Sequence, residues 1–212
     1  MQASRAAQDA PAGYHGRSTI PGVRMKTTLL APLALLFAFN VHAAGPAAGD
    51  AANAAPLATI PSLDVKRYLG TWYEIAKFPN RFQKKCVGFT TATYSARADR
   101  RVDVVNRCRL ADGNDNVATG IARQPEGPSS PKLEVRFAPA ILSFLPMVWG
   151  DYWVIDLDPN YQLVAVSEPK REYLWILSRT PRVDPAAYDA LLGRLSAQGL
   201  DMNRLVPTKQ AQ

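Results

Sequence analysis

Leu69-Gly70-Thr71-Trp72-Tyr73-Glu74-Ile75-Ala76 reads as a strand. Tyr, Ile, Thr and Trp favour a pleated, half-buried surface, and Pro79-Asn80 closes the run. Gly70 permits a tight bend at the strand entrance. Trp72 brings a ring large enough to need burial at once. With Trp72 inward, the two-residue period of a strand turns Glu74 and Ala76 inward as well. Alone, Gly-x-Trp also suits an ordinary core tryptophan on a first strand, so the rest of the chain must decide.

Short strand-like runs recur at hairpin spacing over residues 71–78, 88–96, 101–109, 116–123, 132–137, 151–157, 161–167 and 173–179. Turn chemistry separates them at Ala98-Asp99-Arg100, Asp112-Gly113-Asn114, Asp158-Pro159-Asn160 and Glu168-Pro169. Lys132-Leu133-Glu134-Val135-Arg136-Phe137 alternates without a break, which points Leu133, Val135 and Phe137 inward and the charges to solvent. Asp103 facing out puts Val102 and Val104 inward. The apolar loop over residues 139–150 places Phe144 and Leu145 at a rim.

After Arg179 the period changes. Asp184 is a good N-cap, and Pro185 suits the first helical position. Tyr188, Leu191, Leu192 and Leu195 make one apolar helix face, and Gly199 suits the stop. Leu205-Val206 reads as a short last strand. The predicted class is all-β: an eight-stranded antiparallel up-and-down barrel with one C-terminal α-helix packed outside. A sandwich is the alternative. A barrel of this size leaves room for interior side chains or one small ligand.

Composition narrows the chemistry. The two histidines, His15 and His42, both precede the strands, so a catalytic His, a His metal ligand or a His switch is not expected in the folded part. Cys86 and Cys108 are the only cysteines, too few for a four-thiolate zinc site and not spaced as CxxC. Neither metal nor cofactor is expected. Of the net charge of +7, residues 1–43 carry +3. Arg97, Arg100, Arg101, Arg107 and Arg109 cluster, but Asp99, Asp103 and Asp112 interrupt them, as on a solvated hairpin face rather than a nucleic-acid patch.

Met25-Lys26, the apolar run over residues 29–39 and Val41-His42-Ala43 have the layout of a secretory signal peptide, residues 25–43. Residues 1–24 then read as an upstream extension or a misassigned start. Residues 44–61, rich in Ala, Gly and Pro, read as a flexible linker, leaving residues 62–208 as the folded domain. An exported compartment is oxidising, so Cys86 and Cys108 are expected as a disulfide, with two buried thiols the alternative. No cysteine lies near the cleavage site to carry a lipid anchor. A product free in the periplasm, or at the periplasmic face of the outer membrane, is expected.

Three stretches together resemble the lipocalin family. They are Gly70-Thr71-Trp72, the segment Asp151-Tyr152-Trp153-Val154-Ile155-Asp156-Leu157-Asp158-Pro159-Asn160-Tyr161, and Tyr173-Leu174-Trp175-Ile176-Leu177-Ser178-Arg179-Thr180-Pro181. The wording is similar to the bacterial lipocalins related to apolipoprotein D, and the likeness spans residues 62–208. It implies that Trp72 plugs the closed end of a cup and that Arg179 lies across it. It also implies that Trp153 faces the pocket, with Ile155 on the same face. The cup lining is then Glu74, Val102, Val104, Leu133, Val135, Phe137, Trp153 and Ile155, with Phe144 at the mouth.

The resemblance implies a carrier or store of a lipophilic ligand, a fatty acid or lysophospholipid. The apolar mouth could meet a membrane surface or a second copy of the chain. Two other readings remain open at this stage. One is a lipid-modifying enzyme using Glu74 in a carboxylate pair. The other is a filled barrel whose outer face binds a protein.

Overall fold

The computed structural model describes residues 55–210. The expected extension, signal peptide and first part of the linker lie outside the described residues. A single turn of helix, α1 (Val65–Tyr68), is capped by the Asp64 carboxylate and leads straight into β1 (Gly70–Lys77). Then follow β2 (Cys86–Ala96), β3 (Val102–Leu110), β4 (Asp115–Arg123), β5 (Lys132–Arg136), β6 (Gly150–Leu157), β7 (Leu163–Ser167) and β8 (Leu174–Ser178). Helix α2 (Pro185–Ala197) and a two-residue strand β9 (Val206–Pro207) complete the order.

Each strand from β1 to β8 pairs antiparallel with its sequence neighbour, and β8 pairs with β1. That last pairing closes the sheet into an eight-stranded up-and-down barrel, and closure leaves no long open edge. β9 adds outside β1, opposing Val206 to Lys77. The sandwich alternative is therefore excluded.

Two apolar layers hold the fold. The inner one fills the closed half of the barrel with Leu63, Tyr68, Trp72, Tyr94, Val102, Val104, Val154, Val164, Val166 and Leu177. The outer one lies between the barrel wall and α2, where Leu191 and Leu195 are fully buried against Phe78, Ile155, Leu163, Leu174 and Ile176. Asp184 caps α2 through the Ala187 amide at 2.9 Å, as its sequence position predicts. Arg194 fixes the helix to β6 with two hydrogen bonds to Asp156, at 2.7 and 2.9 Å.

The linker ends earlier than residue 61. Leu57 is buried in the outer layer, and the Ile60 amide donates to the Val154 carbonyl at 3.1 Å. The Ala/Pro-rich composition hides this, because the anchors are few: the Leu57 side chain, the Ile60 amide and the Ala55 carbonyl, which accepts from Arg171. The charges of β5 also do not all face solvent. Arg136 is 3% exposed, because Trp149 from the loop before β6 folds over it at 5.3 Å. Of the hairpin arginines, Arg97 pairs with Asp99 and Asp103 and Arg101 with Asp99, while Arg107 and Arg109 pair with Asp115, and Asp112 instead accepts from Asn114 in its own turn.

Candidate functional site

The closed end is built on Trp72. Its ring is fully buried, and its indole N–H donates to the Tyr68 carbonyl at 2.8 Å. The Arg179 guanidinium lies over the ring, 3.9 Å from its centre. The same group donates to the carbonyls of Thr71, Arg67 and Tyr161, at 3.1, 2.7 and 3.3 Å. Gly70 makes this approach possible. It sits at φ +95°, and a Cβ there would come within 3.2 Å of the Arg179 guanidinium.

Above this plug the barrel encloses a cavity of about 720 Å³ that opens between the β1–β2, β5–β6 and β7–β8 loops. Its walls are largely apolar. Glu74, Val102, Val104, Leu133, Val135 and Phe137 all line it, with Phe137 44% exposed at the mouth. The disulfide between Cys86 and Cys108, Cα atoms 5.6 Å apart, ties β2 to β3 in the wall.

Two expectations for β6 are corrected. Trp153 and Ile155 point out of the barrel into the layer under α2. The inward residues are Tyr152 and Val154. The register decides this: Leu133 opposes Tyr152 directly, and opposed residues share a face. Because α2 covers this wall, β6 is apolar on both faces and its alternation carries no sign. Phe144 does not line the cup. It stands 75% exposed, while Met147, Val148 and Trp149 of the same loop form the lining.

Glu74 is buried, 2% exposed, but it is fully engaged. One oxygen accepts from Lys77 Nζ and from the Thr208 hydroxyl, each at 2.6 Å, and the other from the Gln83 amide at 2.5 Å. The Gln83 side-chain carbonyl in turn accepts from the Trp175 indole at 3.0 Å. This carboxylate clamps the C-terminal segment and the β1–β2 loop to the barrel.

Sequence reasoning missed the polar floor of the cup. The Tyr152 hydroxyl lies 2.7 Å from that of Tyr68 and 2.8 Å from that of Tyr94. Burial raises the pKa of all three, that of Tyr94 to about 12. They therefore remain hydroxyls at neutral pH. Tyr68 and Tyr94 lay within reach of the argument, since Tyr68 precedes the plug and Tyr94 alternates with Ala92 along β2.

Comparison with known proteins agrees with this architecture. The model of the lipocalin-like domain matches residues 63–210. Temperature-induced lipocalin-1 of Arabidopsis thaliana is 40% identical over 154 residues, covering 72% of this chain and 82% of that protein. The outer membrane lipoprotein Blc of Citrobacter freundii is 39% identical, with 71% and 81% covered. Apolipoprotein D of Mus musculus is 34% identical, with 71% and 78% covered. Among solved structures, insecticyanin from the tobacco hornworm Manduca sexta superposes with a TM-score of 0.55 at 18% identity, covering 74% of this chain and 84% of that one. Lobster apocrustacyanin A1 does so at 0.54 and 16% identity, with 69% and 79% covered. With the plug, the barrel and the outer helix all in place, this chain belongs to the lipocalin family.

Proposed function

We propose that this protein holds one long-chain lipid, a fatty acid or lysophospholipid, in the cup and carries or stores it in the cell envelope after export. The observation that supports this most is the cavity itself. Its volume of about 720 Å³ falls within the range of about 300–1,000 Å³ for small-molecule sites. Each methylene buried there contributes about 0.8 kcal/mol, so a long chain gains enough to offset the cost of association. Val102, Val104, Leu133, Val135 and Phe137 act as the acyl contacts, and Glu74 acts as a structural brace of the wall.

Export is supported by the signal-peptide pattern over residues 25–43 and by relatives that bear the name outer membrane lipoprotein. Ile141, Phe144 and Met147 are exposed on the loop beside the mouth, at 79%, 75% and 86%. That arrangement suits exchange of lipid with a membrane surface, and a second copy of the chain would cover the same side chains.

The test is a titration of delipidated protein with a fatty acid and with a lysophospholipid, following quenching of tryptophan fluorescence. Saturation near one ligand per chain supports the proposal. Flat titrations with correctly folded protein reject it.

A further inference from the structure

The three phenols at the floor of the cup pose a counting problem. Tyr68, Tyr94 and Tyr152 bring three hydroxyl protons, and Tyr152 joins the other two through only two hydrogen bonds, of 2.7 and 2.8 Å. Whichever way those bonds run, one proton has no acceptor among the described residues. Tyr68 and Tyr94 are 3% and 6% exposed, and all three residues border the cavity. The unclaimed donor therefore sits on a residue that borders the cavity, in the cluster where the Tyr68 and Trp72 ring centres are 5.0 Å apart.

A saturated chain end pressed onto this floor would displace water and strand that donor. An oxygen acceptor would satisfy it. A carboxylate suits the place poorly, because burial disfavours charge there, as the raised phenol pKa values also indicate. Among the described residues the cation beside the floor is Arg179, which lies over the Trp72 ring and is committed to three backbone carbonyls.

We infer that the tyrosine floor is a subsite for an uncharged oxygen acceptor, so that the cup prefers lipids carrying a ketone, aldehyde or ester carbonyl at the end that enters first. This rests on the lipid-carrier reading above and narrows its ligand class to oxygenated chains.

The test compares octadecanoic acid with 17-oxo-octadecanoic acid, which differ by one carbonyl near the tail, on the purified, delipidated protein. The keto acid is expected to bind roughly tenfold tighter, the worth of one net hydrogen bond. Its carbonyl stretch should move to lower frequency than in an alkane solvent. Any single Tyr→Phe change at Tyr68 or Tyr94 still leaves one unclaimed proton, so the preference should survive it. The triple variant Tyr68→Phe/Tyr94→Phe/Tyr152→Phe keeps the ring volumes, and there the preference and the frequency shift should vanish while the plain acid binds at least as well. Equal or weaker binding of the keto acid to the unmodified protein overturns the subsite and leaves the carrier reading standing. Failure of both acids to bind overturns both.

Discussion

The guanidinium of Arg179 sits 3.9 Å from the centre of the Trp72 ring while donating to the carbonyls of Arg67, Thr71 and Tyr161. One side chain thus closes the barrel by joining α1, the entrance to β1 and the turn before β7. The planar fork of an arginine can serve several carbonyls and a ring face together, and a lysine cannot. Arg179→Lys is expected to cost about 2–3 kcal/mol of stability in urea unfolding. Trp72→Ala is expected to cost about 3–5 kcal/mol. A loss below about 0.5 kcal/mol for Arg179→Lys would mean that the plug does not depend on this contact.

The buried phenols make stability fall at alkaline pH. Above pH 10 the unfolded chain releases phenolic protons that the native protein retains, so each step upward favours unfolding. For Tyr94, raised from 10.0 to about 12, the contribution is complete below pH 10. About 3 kcal/mol is lost as pH rises toward 12. Denaturation midpoints measured from pH 8 to 12 should drop across that window, and the drop should shrink in Tyr94→Phe. A flat profile would show that these hydroxyls ionise freely in the folded protein.

The disulfide closes a segment with a separation of 22 residues in sequence between β2 and β3. On loop-closure grounds, removing it through Cys86→Ser/Cys108→Ser should cost about 3 kcal/mol. Guanidinium unfolding of the oxidised protein against this variant reads that difference. A change of less than about 1 kcal/mol would mean that β2 and β3 are held by their ladder alone.

Glu74 is the brace of the wall. Glu74→Ala leaves Lys77 without its ion pair and frees Gln83 and Thr208, at a cost of about 3–5 kcal/mol. Glu74→Gln keeps part of the hydrogen bonding and should cost about 1.5–3 kcal/mol. Limited proteolysis should then cut within residues 205–210 sooner than in the unmodified protein, because the Thr208 hydroxyl loses its carboxylate partner while the backbone bonds from Thr208 to Ile75 and from Phe89 to Lys209 stay. Unchanged cleavage in Glu74→Ala would show that the segment is anchored without this carboxylate.

The barrel was legible in the chain because most of its strands have one wet face and one dry face. Apolar and polar residues alternate in sequence along the start of β3 and along β5, so Val102, Val104, Leu133 and Val135 could be assigned to the cup from period alone, although Arg136 is buried. The Trp72–Arg179 pair was legible only through the family resemblance, since 107 positions separate the two in sequence and no local pattern links them. β6 was misread because α2 makes its outer face as apolar as its inner one, and a bulge between Val154 and Asp156 shifts the register further. The tyrosine floor was not legible as a unit. Its members come from α1, β2 and β6, and only closure of the barrel brings their hydroxyls together.

Lipid is expected inside the barrel and not against its outer wall. A fatty-acid titration of Val135→Trp and Trp153→Ala tests it most directly, because one side chain faces the cup and the other the layer under α2. The inward tryptophan should fill the cup and weaken binding by about tenfold or more. Trp153→Ala should lower stability while leaving affinity within about twofold. The opposite pattern, with binding intact in Val135→Trp and lost in Trp153→Ala, would place the ligand outside the barrel.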